Sequence, residues 1–224
     1  MTAVSATKAV LEKFPAVKDL PVRKEMPEAM TMDGGTKVTT VATEDVMISH
    51  CTLADSIFAC FSIGSETSGG IRDVRIEDCT FTRARTYAIY IKSRPGRGAF
   101  IENISATNLD VATTPGGFLR VNLLNSGIQD PEPVPDDEEI PVAKNYRFSD
   151  VKVDCGTLVD AASISPMKPV DGFSLANISG TCRKAIALAN LTHVELRDIH
   201  VTGYEGPFLT QTNVQGAGLE EIKN

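Results

Sequence analysis

Four cations are the residues of this chain best suited to hold an anion. Lys92, Arg94 and Arg97 fall close together, and Arg120 lies on a later stretch. A guanidinium offers a planar fork and an ammonium a point charge, so the four could together face an anionic ligand. Proton-transfer groups are sparser. Glu66, Asp55 and Asp73 sit in turn-like segments, where a carboxylate commonly caps a bend. Asp136-Asp137 is the one adjacent Asp pair, and it belongs to an acidic run rather than to an apolar strand. The three histidines (His50, His193, His200) are scattered and no CxxC occurs, so neither a metal site nor a cofactor is expected.

Side chains such as these need a frame, and the chain supplies one by repetition. VMISHCTL (46–53) and VRIEDCTF (74–81) share apolar residues at the first, third, sixth and eighth places. The pattern recurs as Ile104/Ala106/Leu109/Val111, Tyr146/Phe148/Val151/Val153 and Val194/Leu196/Ile199/Val201, with Phe173, Leu175 and Ile178 filling three of the four places. Recurrence at intervals of 20–50 residues marks a stacked repeat. Places one and three share a strand face, because side chains alternate with period two. The count then slips by one before place six, which requires a bend. Place five is His50, Asp78, Asn108, Asp150, Asn177 or Asp198. Asn and Asp tolerate the left-handed conformation such a bend needs. Each unit also has a partner run: FSIGSE from Phe61, AIYIKS from Ala88, GFLRVNLL from Gly117, TLVDAASI from Thr157, AIALAN from Ala185 and PFLTQT from Pro207. The pattern predicts an all-β, single-stranded right-handed parallel β-helix of about six coils over residues 37–216, each coil covering its neighbour.

The segments outside the repeat have simpler expectations. Residues 1–36 are expected to be an N-terminal cap, their apolar spacing from Val10 to Leu20 predicting a short helix over the first strand edge, with an oligomer contact as the alternative. The acidic, proline-rich stretch 127–145 predicts an inserted surface loop, and 217–224 a closing tail. The 224 residues carry a net charge of −7 with no Lys/Arg block, which argues against a nucleic-acid partner. No apolar run reaches membrane-spanning length, and the first residues do not read as a signal peptide. Five cysteines leave at least one unpaired. Cys51 with Cys79, and Cys155 with Cys182, fall at matching places of adjacent coils, where stacked buried thiols are expected, the alternative being a disulfide between coils.

A family resemblance is carried by Ser62-Ile63-Gly64-Ser65-Glu66, Gly69-Gly70, Val74-Arg75-Ile76-Glu77-Asp78-Cys79-Thr80-Phe81, Ile91-Lys92-Ser93 and Gly96-Arg97-Gly98. Over residues 43–216 the chain resembles the C-terminal half of glycoside hydrolase family 28, the polygalacturonase-like enzymes. The resemblance implies a pectin-lyase-type right-handed β-helix, a secreted protein, and inverting hydrolysis of galacturonan by two carboxylates. The family's Asn-Thr-Asp and Asp-Asp motifs do not occur ahead of Val46. Its Gly-His-Gly histidine falls on Phe58 or Ala59, and Arg-Ile-Lys becomes Tyr90-Ile91-Lys92, so the catalytic residues stay unassigned. The resemblance implies binding of an acidic polysaccharide or oligosaccharide along the face bearing Ser62, Tyr90, Lys92 and Arg120, with Arg94 and Arg97 nearby. It implies a polygalacturonase-like hydrolase impaired in this chain. The alternative is a non-catalytic β-helix that binds carbohydrate or serves assembly.

Overall fold

A computed structural model describes residues 31–32, 36–37, 41–126 and 140–220. The chain divides into two units, Met1–Val41 and Ala42–Asn224. The described part of the first is a two-stranded antiparallel pair, β1 (Thr31–Met32) with β2 (Thr36–Lys37). The helical cap expected ahead of it lies outside the described residues, as does most of the acidic loop.

The second unit is all-β among its described residues. Its strands are β3 (Val46–Ser49), β4 (Thr52–Ala54), β5 (Phe61–Ile63), β6 (Ile71–Thr82), β7 (Tyr87–Lys92), β8 (Phe100–Asn122), β9 (Val142–Ser163), β10 (Val170–Thr202) and β11 (Leu209–Ala217). Every pairing in this sheet is parallel. β9 begins inside the stretch expected to be loop, because Ala143 and Tyr146 are buried while the acidic residues precede them.

The register is the one the repeat requires. Val46 pairs with Val74, then Ile104, Tyr146 and Phe173, and Ile48 with Ile76, Ala106, Phe148 and Leu175. Cys79, Leu109, Val151 and Ile178 form a further column, and Leu53, Phe81, Val111 and Val153 another. Thr192 and His193 both reach Asp171, so the last repeat also lies against the one before it. These columns fill one apolar core, in which Ile76, Phe81, Ile104, Phe148 and Leu175 are at most 1% exposed. Each such side chain contributes roughly 1.5–3 kcal/mol relative to exposure.

The bends follow the sequence pattern closely. His50, Asp78, Asn108, Asp150, Asn177 and Asp198 all have φ between 52 and 57°. Asn108 donates to Asp78 and Asn177 to Asp150, each at 2.6 Å, so the bend residues bond along the stack. A second left-handed column stands at the other end of each run. It holds Asp45, Asp73, Asn103, Asn145, Gly172 and His193, each one residue ahead of place one. Asn103 donates to Asp73 at 2.8 Å and Asn145 to Asn103 at 2.9 Å. Bends at both ends of each short run turn the chain onto a third face, formed by the partner runs.

All five cysteines are free thiols. Cys155 and Cys182 are register partners, and Cys51 lies beside Cys79, flanked by the Ser49–Glu77 and Thr52–Thr80 pairs.

Candidate functional site

The partner runs stack Phe61, Ile89, Leu119, Val159, Ile186 and Leu209 inward. Alternation therefore turns the column Ser62, Tyr90, Arg120, Asp160 away from the core, with Lys92 beside Asn122 in the next column, although Tyr90 and Asn122 are covered by their neighbours and are 8% and 4% exposed. Four of the six residues expected to bind ligand are thus brought to one face: Ser62, Tyr90, Lys92 and Arg120.

Lys92 is fixed by the turn that precedes it in the stack. Gly64 has φ 90°, and a Cβ there would collide with the Lys92 carbonyl oxygen. Only glycine lets the Ser62–Glu66 turn pass so close. The buried hydroxyls of Thr67 and Ser93 bond at 2.7 Å and tie the two segments together. Phe58 is held by a serine turn: its backbone N–H donates to Ser56 Oγ at 3.2 Å, and its carbonyl accepts from Thr86 N–H at 2.9 Å.

The result is an aromatic platform with a cation on it. The Phe58 and Tyr90 rings stack with centroids 5.3 Å apart and 28° between their planes. Lys92 Nζ lies 4.5 Å from the Phe58 centroid and 5.8 Å from that of Tyr90. Such contacts are worth about 0.5–1 kcal/mol at exposed sites and more when desolvated. Burial lowers the Lys92 pKa from its ordinary value. Among the described residues no carboxylate lies within ion-pair distance of its ammonium.

Arg120 is engaged differently. Its guanidinium sits 5.6 Å from the Tyr87 ring and 5.4 Å from that of Tyr90, and its Nε lies 3.4 Å from Asp160 Oδ2. The Tyr87 hydroxyl donates to the same carboxylate oxygen at 3.4 Å. Burial, and then the Asp160 charge, raise the Tyr87 pKa. Asn122 Nδ2 donates to the Tyr90 hydroxyl at 3.5 Å.

Arg94 and Arg97 do not join the platform. Arg94 is 5% exposed and offers a ligand almost no surface. Arg97 is ion-paired with Glu66 at 3.0 Å, which also gives that carboxylate a structural role. Sequence reasoning missed Asp160 and Tyr87. Setting the partner runs in register would have placed Asp160, the fourth residue of TLVDAASI, beside Arg120.

Asp160 is the one carboxylate on the front strands Phe61–Ile63, Tyr87–Lys92, 117–122, 157–163, 185–190 and 208–212. Inverting hydrolysis needs a second one some 6.5–9.5 Å away. The site as built can stack on a sugar ring and neutralise an anion; among the described residues it lacks a carboxylate pair. Ala59 is buried and Phe58 carries no proton to transfer, so neither candidate for the histidine place supplies acid–base chemistry.

No family model matches the chain. It is 25% identical over 137 residues to a probable polygalacturonase of Vitis vinifera, covering 61% of this chain and 27% of that protein. Its fold is similar to that of the family 28 exopolygalacturonase of Yersinia enterocolitica, with a TM-score of 0.52 and 16% identity over 75% of this chain and 30% of the other. The chain therefore spans about a third or less of the proteins it matches. Over that part it is related to the polygalacturonase-like glycoside hydrolases of family 28, and shares with them an all-β stack of parallel strands.

Proposed function

We propose that this chain is a polygalacturonase-like right-handed parallel β-helix that holds a galacturonan-type acidic polysaccharide along its front strands. The Vitis relative is named a probable polygalacturonase and the Yersinia neighbour an exopolygalacturonase, which supports that substrate class. The observation that carries the reading is Lys92, a cation with no carboxylate partner among the described residues, seated on the stacked rings of Phe58 and Tyr90. The exposed part of the Phe58 ring takes the apolar face of a sugar, with the buried Tyr90 ring backing it, and the ammonium takes its carboxylate.

Binding is proposed without hydrolysis by the family scheme, since among the described residues Asp160 is the one carboxylate on the front strands and is tied to Arg120 and Tyr87. The test pairs retention on a polygalacturonate column with release of reducing ends. Retention that drops in Lys92→Ala, with reducing ends no higher than a boiled control, is the expected result. Unchanged retention of Lys92→Ala would discard the site, and clear release of reducing ends would discard the loss of catalysis.

A further inference from the structure

The two ends of the parallel stack differ in how they meet solvent. At the first coil the edge is broken into β3, β4 and β5, of four, three and three residues, and Asp45, His50 and Asp55 stand beside them. Short strands and charges blunt an edge against pairing with another chain. At the last coil the edge is β11, nine residues long, or roughly 30 Å. Its sequence, LTQTNVQGA, holds no charge and no proline, and the uncharged run extends from Gly206 to Gly218. Among the described residues β11 pairs with β10, and no strand pairs with its far side.

The apolar core needs no further coil at this end. The Tyr204 and Phe208 rings meet edge to face at 5.8 Å, Leu219 packs on the core, and Gln211 Nε2 donates to the Leu219 carbonyl at 3.1 Å. What stays open is hydrogen-bonding capacity. The outer N–H and C=O groups of β11 face no strand among the described residues, and the ladder of bend residues stops at Asn213, where φ is 52°. Inside the stack Asn103 donates to Asp73 while its own oxygen accepts from Asn145. Asn213 donates to Asn190 at 2.8 Å, but among the described residues nothing donates to its oxygen.

We propose that β11 is a self-association edge: a second copy of this chain pairs with it antiparallel, about a two-fold axis at Asn213. Asn213 is the middle residue of the strand, with 209–212 on one side of the bend and 214–217 on the other. The axis lays the first arm of each copy along the second arm of the other, in the antiparallel ladder that an isologous contact requires. It also sets the two Asn213 amides face to face, where the second hydrogen of each can meet the open oxygen of the other. A foreign strand is selected by charge or by side-chain pockets. β11 offers neither, whereas an uncharged strand meets its own copy with no like charges opposed. Glu205 and Glu220 lie just beyond the uncharged run and approach across the axis. Their repulsion and the short paired length place the contact among weak, concentration-dependent ones.

The experiment is analytical ultracentrifugation of the whole chain, from micromolar to near-millimolar protein, with Thr212→Lys and Ala54→Lys. Alternation turns the exposed Thr212 away from the core, one residue from the axis, so its replacement brings two ammonium groups together across the contact. Ala54 is exposed on the first-coil edge and serves as the control. Wild type is expected to pass from monomer to dimer and no further, Thr212→Lys to weaken the dimer roughly tenfold, and Ala54→Lys to leave it unchanged. Circular dichroism and urea midpoints check that each variant folds; if Thr212→Lys does not, Thr210→Lys, exposed on the same face, replaces it. A wild type that stays monomeric at every concentration overturns the proposal. So does growth beyond the dimer, a dimer untouched by the folded β11 variant, or one lost in Ala54→Lys.

Discussion

The side-chain amide of Asn177 donates to the Asp150 carboxylate at 2.6 Å across one rung, and both residues hold left-handed backbone. One side chain thus answers two demands, the bend in its own coil and the join to the next. Asn177→Ala loses both and is expected to cost about 2 kcal/mol, whereas Asn177→Gly keeps the backbone freedom and costs about half of that. Urea midpoints of the two variants check the order; equal losses would mean that the bend itself carries little strain.

The same ladder makes the fold acid-sensitive. Hydrogen bonds from Asn177, then Ser149, hold the Asp150 carboxyl below its ordinary pKa, and His193, then Thr192, do so for Asp171. A carboxyl with a depressed folded pKa stabilises fully above its unfolded value, near 4, and the contribution disappears as pH falls through the folded value. Urea midpoints are therefore expected to be flat from pH 7 to 5 in this contribution and to drop below pH 4. Asp150→Asn should show a shallower acid drop than wild type.

Tyr146 occupies a core place held elsewhere by Val46, Val74, Ile104 and Phe173, and it is 0% exposed. Its hydroxyl has no hydrogen-bond partner among the described residues, and burial raises its pKa strongly. An unsatisfied buried hydroxyl costs about 1–3 kcal/mol. Tyr146→Phe is expected to match or exceed wild-type stability by up to about 1 kcal/mol. Ile104→Ala, one rung away, should lose roughly 2–5 kcal/mol. A loss of more than about 1 kcal/mol in Tyr146→Phe would reveal a partner for the hydroxyl.

The coil pattern was legible because two rules constrain it at once: alternation sets the apolar places, and the bend admits few residue types. Val46 to Phe173 and His50 to Asp198 followed from those rules alone. The column from Asp45 to His193 escaped notice because it mixes Asp, Asn, Gly and His, with no shared chemistry except tolerance of positive φ. The front face was half legible. Ser62, Tyr90 and Arg120 share a column, but the register slips between Ala112 and Gly117 and again between Arg120 and Asn122. Within the runs themselves the count is unbroken from Gly117–Thr157 to Arg120–Asp160, so Asp160 was legible once the runs were aligned on their own starts. That Arg94 is buried while Lys92 keeps part of its surface is decided by packing that a linear spacing does not express.

The thiols give a kinetic test of the stacking. Burial pushes the Cys155 pKa to about 12, and those of Cys60 and Cys182 to about 11. The thiolate is the reactive form, so all three should alkylate slowly in the native protein at pH 8, Cys155 slowest. In urea without reductant all five should alkylate together, as mass spectrometry would show. A pair that stays unmodified until reductant is added would show that a stacked pair had oxidised to a disulfide.

Two glycines separate backbone strain from collision. Gly64 and Gly206 have φ of 90° and 81°, so alanine at either costs about 1–2 kcal/mol in a left-handed conformation. A Cβ at Gly206 meets nothing within 4 Å, while one at Gly64 strikes the Lys92 carbonyl. Gly206→Ala should therefore show the strain alone and retain glycan like wild type. Gly64→Ala should lose more stability and also release glycan earlier from a polygalacturonate column, because relief of the collision must displace Lys92 from the Phe58 ring. Equal stability losses with equal retention would show that the turn does not position the ammonium.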